Sequence, residues 1–191
     1  DVTGSGLVTG LALGTATITY MMPSSGCFAT LGVSVNPAPT GIFGTPGVCV
    51  GSTGTLFNGV TGGVWSSSAP GIASINAATG VYTGIAAGVS IISYSTGTGC
   101  SVGMAVTVDA LPPVPAASGG GPLQLCPGGT LDLTDSAAGG LWSTVSPAAA
   151  IGSTSGTVTG LSTGTALISY TVLGCSSTAT VSVNPLPGAV I

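Results

Sequence analysis

The sequence predicts an all-β chain of tandem β-sandwich repeats. Three observations carry that expectation. A pattern of about 75 residues recurs two and a half times; Val, Ile, Leu and aromatic residues alternate with Ser and Thr in short runs; and 34 Gly and 13 Pro cut those runs to strand length.

The first strand of the register is the run Thr-Ala-Thr-Ile-Thr-Tyr ending at Tyr20, matched by runs ending at Tyr94 and Tyr170. Each follows a turn-like glycine, Gly14, Gly88 or Gly164. A second strand begins at Cys27, Cys100 and Cys175 and reaches Asn36, Asp109 or Asn184 nine residues later in every copy. Its alternate positions are apolar, as in Ala29, Leu31, Val33 and Val35, whereas the intervening ones are mostly Ser, Thr, Gly and Ala. One face therefore meets a core and the other does not. Between the two strands the spacing varies, which marks a hairpin loop.

An earlier part of the repeat appears in the second and third copies only. Val48-Cys49-Val50-Gly51 matches Leu125-Cys126-Pro127-Gly128, and Gly62-Gly63-Val64-Trp65-Ser66 matches Gly139-Gly140-Leu141-Trp142-Ser143, both offset by 77 residues. The expected organisation follows. Residues 1–44 are the C-terminal half of a repeat that needs completion from elsewhere, 45–111 and 122–185 are complete repeats, 112–121 is a linker, and 186–191 is the first strand of a following repeat. Proline in the linkers near residues 37–46 and 112–122 stiffens the path between domains and suits an extended rod.

Composition excludes several functions. The chain has no Lys, Arg or His, and Asp1, Asp109, Asp132 and Asp135 give a net charge of −4. Phosphate neutralisation needs cations, so nucleic acid is not an expected partner. A basic membrane-surface helix is excluded for the same reason. Gly, Ser and Thr interrupt every apolar run before the ~18 residues a membrane-spanning helix requires, so membrane insertion is not expected. Without His, Lys or Arg the usual catalytic constellations cannot be assembled, and the chain is expected to be no enzyme and to hold no cofactor. Asp132 and Asp135 form the only nearby carboxylate pair. A calcium site needs more oxygen ligands and an acid–base pair needs a shaped pocket, so they are expected as solvated strand-end residues.

The run from Trp65 to Pro70, then Ile72-Ala73-Ser74-Ile75 and the segment from Thr79 to Gly88, resembles the group 2 bacterial immunoglobulin-like domain. The third copy is similar from Gly156 to Gly164, and Gly6 to Gly14 carries the same tail. The resemblance implies tandem immunoglobulin-like β-sandwiches of seven-strand type, acting as a stalk, adhesin or fibre module with no catalytic residues. The added cysteines resemble a disulfide-containing variant found in tandem in large secreted surface proteins of Bacteroidota-type bacteria.

Five cysteines in a chain of secreted character favour disulfides. On the repeat register the expected pairs are Cys49 with Cys100 and Cys126 with Cys175, each closing a loop of about 50 residues for roughly 4 kcal/mol of chain entropy. Cys27 is left over within this chain, with a partner in other sequence, a partner in a neighbouring subunit, or a free thiol as the three alternatives. Trp65 and Trp142 are expected to pack in the core against the disulfides, and Tyr20, Tyr94 and Tyr170 to lie at the core edge with their hydroxyls on backbone partners.

Candidate contact and modification sites complete the reading. The outward middle position of the Tyr strand is Thr17 in the first copy but Ile91 and Leu167 in the others, which could mark assembly contacts. Val190 and Ile191 would add to a sheet edge elsewhere. No Asn-X-Ser/Thr acceptor occurs, whereas Asp135-Ser136-Ala137 resembles a short Bacteroidota O-glycosylation motif that would place a glycan on Ser136. The functional expectation is a non-enzymatic, extracellular or cell-surface structural protein. It would be a subunit or segment of a bacterial fibre or stalk that associates with itself, assembled from repeats by strand complementation. The alternative is a surface adhesin or glycan-binding module using the loops at residues 132–140 or 21–26.

Overall fold

The structure, a computed structural model, describes residues 1–188 and is all-β, with no helix among the described residues. Residues 1–41 hold a two-stranded antiparallel sheet, β1 (Gly14–Met21) and β2 (Phe28–Val35), preceded by an isolated bridge between Val2 and Val8. Eight strands then form a sandwich of two four-stranded sheets. One holds β3 (Ile42–Gly44), β5 (Thr53–Asn58), β8 (Val81–Gly84) and β7 (Ala73–Ile75). The other holds β4 (Gly47–Cys49), β10 (Ser101–Asp109), β9 (Gly88–Ser95) and β6 (Val64–Ser67).

The next sandwich repeats this order. β11 (Ala116–Ala117), β13 (Thr130–Thr134), β16 (Thr157–Gly160) and β15 (Ala149–Ile151) make one sheet. β12 (Gln124–Leu125), β18 (Cys175–Val183), β17 (Gly164–Val172) and β14 (Leu141–Thr144) make the other. In both sandwiches the first strand is split between the sheets. Its early piece, β3 or β11, runs antiparallel to β5 or β13, and its later piece, β4 or β12, runs parallel to the last strand. This split immunoglobulin-like topology moves two expected boundaries. Residues 42–44 belong to the second repeat rather than to the first segment, and the expected linker at 112–121 contains β11 of the third.

The cores lie where the alternation placed them. In the second repeat Ile92, Tyr94, Val106 and Val108 of one sheet face Leu56, Ala73 and Tyr82 of the other. In the third, Ile168, Tyr170, Val181 and Val183 face Leu133, Ala149 and Val158. Trp65 and Trp142 are buried, but they do not pack on a disulfide. Each lies on the ring of its repeat's tyrosine, with centroids 4.6 Å apart for Trp65–Tyr94 and 4.5 Å for Trp142–Tyr170.

The local chemistry explains the repeated Gly-Gly-x-Trp segment. The Tyr94 hydroxyl donates to the Val60 carbonyl at 2.6 Å and accepts from the Gly63 amide at 2.8 Å. Tyr170 repeats the pair with Ala137 and Gly140. The phenol ring lies so close over Gly63 and Gly140 that a Cβ at either would stand 2.4 Å from the ring carbon bearing the hydroxyl, so only glycine fits. Across the sandwich Gly80 and Gly156, both at φ +72°, sit under the Trp indoles and against the carbonyls of Leu56 and Leu133.

Tyr82 has no counterpart in the third repeat, where Val158 fills its place. Its buried hydroxyl donates to the Thr45 carbonyl at 2.9 Å, and burial raises the phenol above its usual value. The folded state then keeps this proton to higher pH than the unfolded chain does. The resulting stability is fully present below about pH 10 and is lost as pH rises further. In urea titrations at pH 8 and pH 11, Tyr82→Phe is expected to shrink the alkaline loss of the second sandwich and leave that of the third unchanged.

Candidate functional site

The candidate site is the junction between successive repeats. In the second sandwich Cys49 ends β4 opposite Asp109, the last residue of β10, so this thiol marks the pole from which the chain leaves for the next repeat. In the third, β17 and β18 close as a hairpin with Val172 opposite Cys175, leaving the two-residue turn Leu173-Gly174. Both turn residues have positive φ, 51° and 84°, as a type I′ connection requires. The hairpin tip reaches the exit of the second sandwich. There the Ser177 hydroxyl donates to the Pro112 carbonyl, and Asp109, Leu111, Pro112, Ala137, Val172 and Leu173 line a cleft of about 320 Å³.

The two poles are joined covalently. Cys49 and Cys175 form a disulfide with an S–S distance of 2.02 Å and Cα atoms 5.6 Å apart, closing 126 residues of sequence. This overturns both expected pairs. Cys100 precedes Asp109 by nine residues, so Cys49 and Cys100 lie at opposite ends of β10, about 30 Å apart at ~3.3 Å per residue. Cys126 adjoins Asn184 at the far end of β18 from Cys175, at a similar separation. A disulfide needs Cα atoms within about 7 Å, so neither expected bond can close within its sandwich.

Cys27, Cys100 and Cys126 carry free thiols, Cys27 and Cys126 exposed and Cys100 partly so. Leu173 is the one non-glycine at positive φ among the described residues and is 83% exposed. A left-handed conformation costs a β-carbon residue roughly 1–2 kcal/mol, less for Asn, whose short amide tolerates it. Leu173→Asn is therefore expected to raise the stability of the third sandwich by about 0.5–1 kcal/mol, read from the urea midpoint at constant slope.

The other predicted residues are scattered rather than convergent. Tyr94 and Tyr170 are 5% and 6% exposed, but Tyr20 is 73% exposed, because β1 and β2 have no opposing sheet over them. Their open face forms a groove lined by Val8, Leu11, Ala16, Ile18, Val33 and Val35. Ile91 and Leu167 are exposed on their strands, 44% and 51%, in the same place on each sandwich. Ser136 is exposed in the loop between β13 and β14. Val190 and Ile191 lie outside the described residues.

The carboxylates are held separately. Asp132 accepts from the Thr157 hydroxyl at 2.7 Å. Asp135 is not a freely solvated strand end: its Oδ1 accepts from the Ala137 amide at 2.7 Å, and its Oδ2 is buried without a hydrogen-bond partner. Among the described residues no three acidic, Cys or His side chains gather as a metal site would need, and no helix is long and apolar enough to cross a membrane.

The fold is thus a tandem array of immunoglobulin-like sandwiches. No family model and no curated protein matches the chain. Among solved structures it is similar to invasin, described as a bacterial integrin-binding protein, at 15% identity and a TM-score of 0.51, covering 92% of this chain and 46% of that one. The C-terminal fragment of intimin, solved with the intimin-binding domain of its translocated receptor, is 19% identical with a TM-score of 0.40, over 89% of this chain and 57% of that one. Domains 4–9 of the surface-layer protein SbsC are 18% identical with a TM-score of 0.28, over 95% and 36%. The chain spans about half the length of the invasin and intimin structures it matches. The likeness to invasin supports the immunoglobulin-like fold.

Proposed function

We propose that this chain is a non-enzymatic structural segment of an extracellular bacterial surface stalk or fibre, built from immunoglobulin-like repeats in series. The observation that carries this reading is the Cys49–Cys175 bond, which ties the exit of one sandwich to the hairpin of the next. A covalent tie there adds nothing to a catalytic pocket; it fixes the angle between neighbours, which is what an extended rod needs. The almost uncharged Ser/Thr-rich surface leaves little repulsion between chains and suits packing side by side, with Ile91 and Leu167 as contacts and a glycan on Ser136 as the candidate surface modification.

Residues 1–41 fit the same reading as the end of a repeat whose remaining strands come from elsewhere. Ile18 and Val33 occupy the places of Ile92 and Val106, which in the second sandwich are covered by the opposing sheet. Strand complementation by a repeat of this type would bury them. Electron micrographs of the native material test the proposal: rods or filaments with a period of one sandwich are the expected result, and compact dispersed particles would reject it.

The second reading, an adhesin, takes its support from the fold shared with an integrin-binding protein. Its candidate contact is the loop at residues 132–140, where Ser136 is exposed. A glycan array and a cell-binding assay with no signal, alongside visible filaments, would remove it.

A further inference from the structure

We propose that Cys49–Cys175 is one rung of a continuous disulfide ladder, in which the early-strand cysteine of every repeat bonds the hairpin cysteine of the repeat that follows. Cys126 is then the open half of the next rung, and Cys100 and Cys27 are hairpin halves that take the early-strand cysteine of a preceding repeat. The inference stands on the repeat geometry and not on the fibre reading.

Cys126 is built as Cys49 is. β4 and β12 run in the same parallel register on the last strand, Val48 opposite Val108 and Leu125 opposite Val183, which brings Cys49 to Asp109 and Cys126 to Asn184. The Ser52 amide donates to the Cys49 carbonyl and the Gly129 amide to the Cys126 carbonyl, both at 2.9 Å. The amides of Gly51 and Gly128 both reach the carbonyl of the glycine that ends β8 or β16, at 2.8 Å. Cys126 therefore stands exposed at the exit of the third sandwich, in the position from which Cys49 meets the next hairpin.

The hairpin side repeats as well. The Cys100 sulfur lies 4.0 Å from the carbonyl of Asn36, just past the end of β2. Asn36 is the counterpart of Asp109, the residue opposite Cys49 in the occupied rung. The hairpin of the second sandwich thus rests on the exit of the repeat before it, where an early-strand cysteine would sit. Each new rung forms when two thiols lose two protons and two electrons to an oxidised thiol–disulfide oxidoreductase, whose own disulfide is reduced to a dithiol.

Native protein, alkylated and denatured without reduction, tests this. With no Lys or Arg, trypsin cannot cut the chain, but cleavage before Asp yields residues 1–108, 109–131, 132–134 and 135–191; Cys126 and Cys175 each stand alone in a peptide, and fragmentation of the linked peptides tells Cys27, Cys49 and Cys100 of residues 1–108 apart. The expected map joins 1–108 to 135–191 through Cys49 and Cys175, and joins 109–131 through Cys126 to a peptide bearing a hairpin cysteine. If that peptide is residues 1–108 bonded at Cys27 and the unreduced protein runs as multimers, the partner is a second copy. If it is a peptide foreign to this sequence, the partner is another repeat of the same polypeptide. Cys126→Ser in the full protein should abolish this second linkage and spare the first. Recovery of 109–131 alkylated before reduction, or linked to 135–191, overturns the ladder.

Discussion

Replacing Trp65 with alanine is expected to lower the stability of the second sandwich by about 3–5 kcal/mol, the usual cost of emptying a large aromatic site. The indole bridges both sheets: it lies on the Tyr94 ring in its own sheet and over Gly80, the residue before β8, in the other. Its loss opens a cavity that neighbours cannot fill, because the Tyr94 hydroxyl is held by Val60 and Gly63 and Gly80 has no side chain to move. A domain of some 70 residues has only about 4–11 kcal/mol in hand, so the variant should be largely unfolded at modest urea. Trp142 then remains as the single tryptophan, and its fluorescence should report a third-sandwich transition shifted by less than about 0.5 kcal/mol. A mutant in which both repeats melt together, or neither is weakened, would show that the Trp–Tyr pair is not the unit of each core.

The strands that carry the core were legible because their signal is local. Alternation from Ile92 to Tyr94 and from Val102 to Val108, with a constant nine residues from cysteine to strand end, fixes which face is buried in a hairpin without any knowledge of its neighbours. The tyrosine–glycine clasp was half visible. The Gly-Gly-x-Trp repeat announced a constraint, but that the second glycine lies beneath a ring from 30 residues later is a tertiary fact. The cysteines were misread for a related reason. The register shows that Cys49 and Cys100 recur together, but it does not show that β4 runs parallel to β10 and so carries its cysteine to the opposite pole. Tyr20 was misread because a repeat position was taken to carry its environment with it. Burial at Tyr94 comes from strands β5 to β8, which residues 1–41 do not supply.

Cys49→Ser and Cys175→Ser, although they alter different sandwiches, are expected to cost the same about 2–5 kcal/mol of total unfolding free energy. The double variant should cost no more than either single one. The bond ties residues 126 apart in sequence, so its contribution comes from restricting the unfolded chain that links both repeats, and it vanishes whole when either sulfur is removed. The coupling energy should therefore equal the single-variant effect, far outside the few tenths of a kcal/mol typical of sites in separate domains. Cys100→Ser and Cys126→Ser should each change little in the same chain, since neither thiol is bonded within it. Each core is complete without the disulfide, so both sandwiches stay folded in the serine variants at low urea. What they lose is the fixed angle between them, which small-angle scattering should register as a broader distribution of lengths. Additive costs of Cys49→Ser and Cys175→Ser, matched by equal losses on Cys100→Ser and Cys126→Ser, would place the bonds within the sandwiches and remove the physical basis for a stiffened rod.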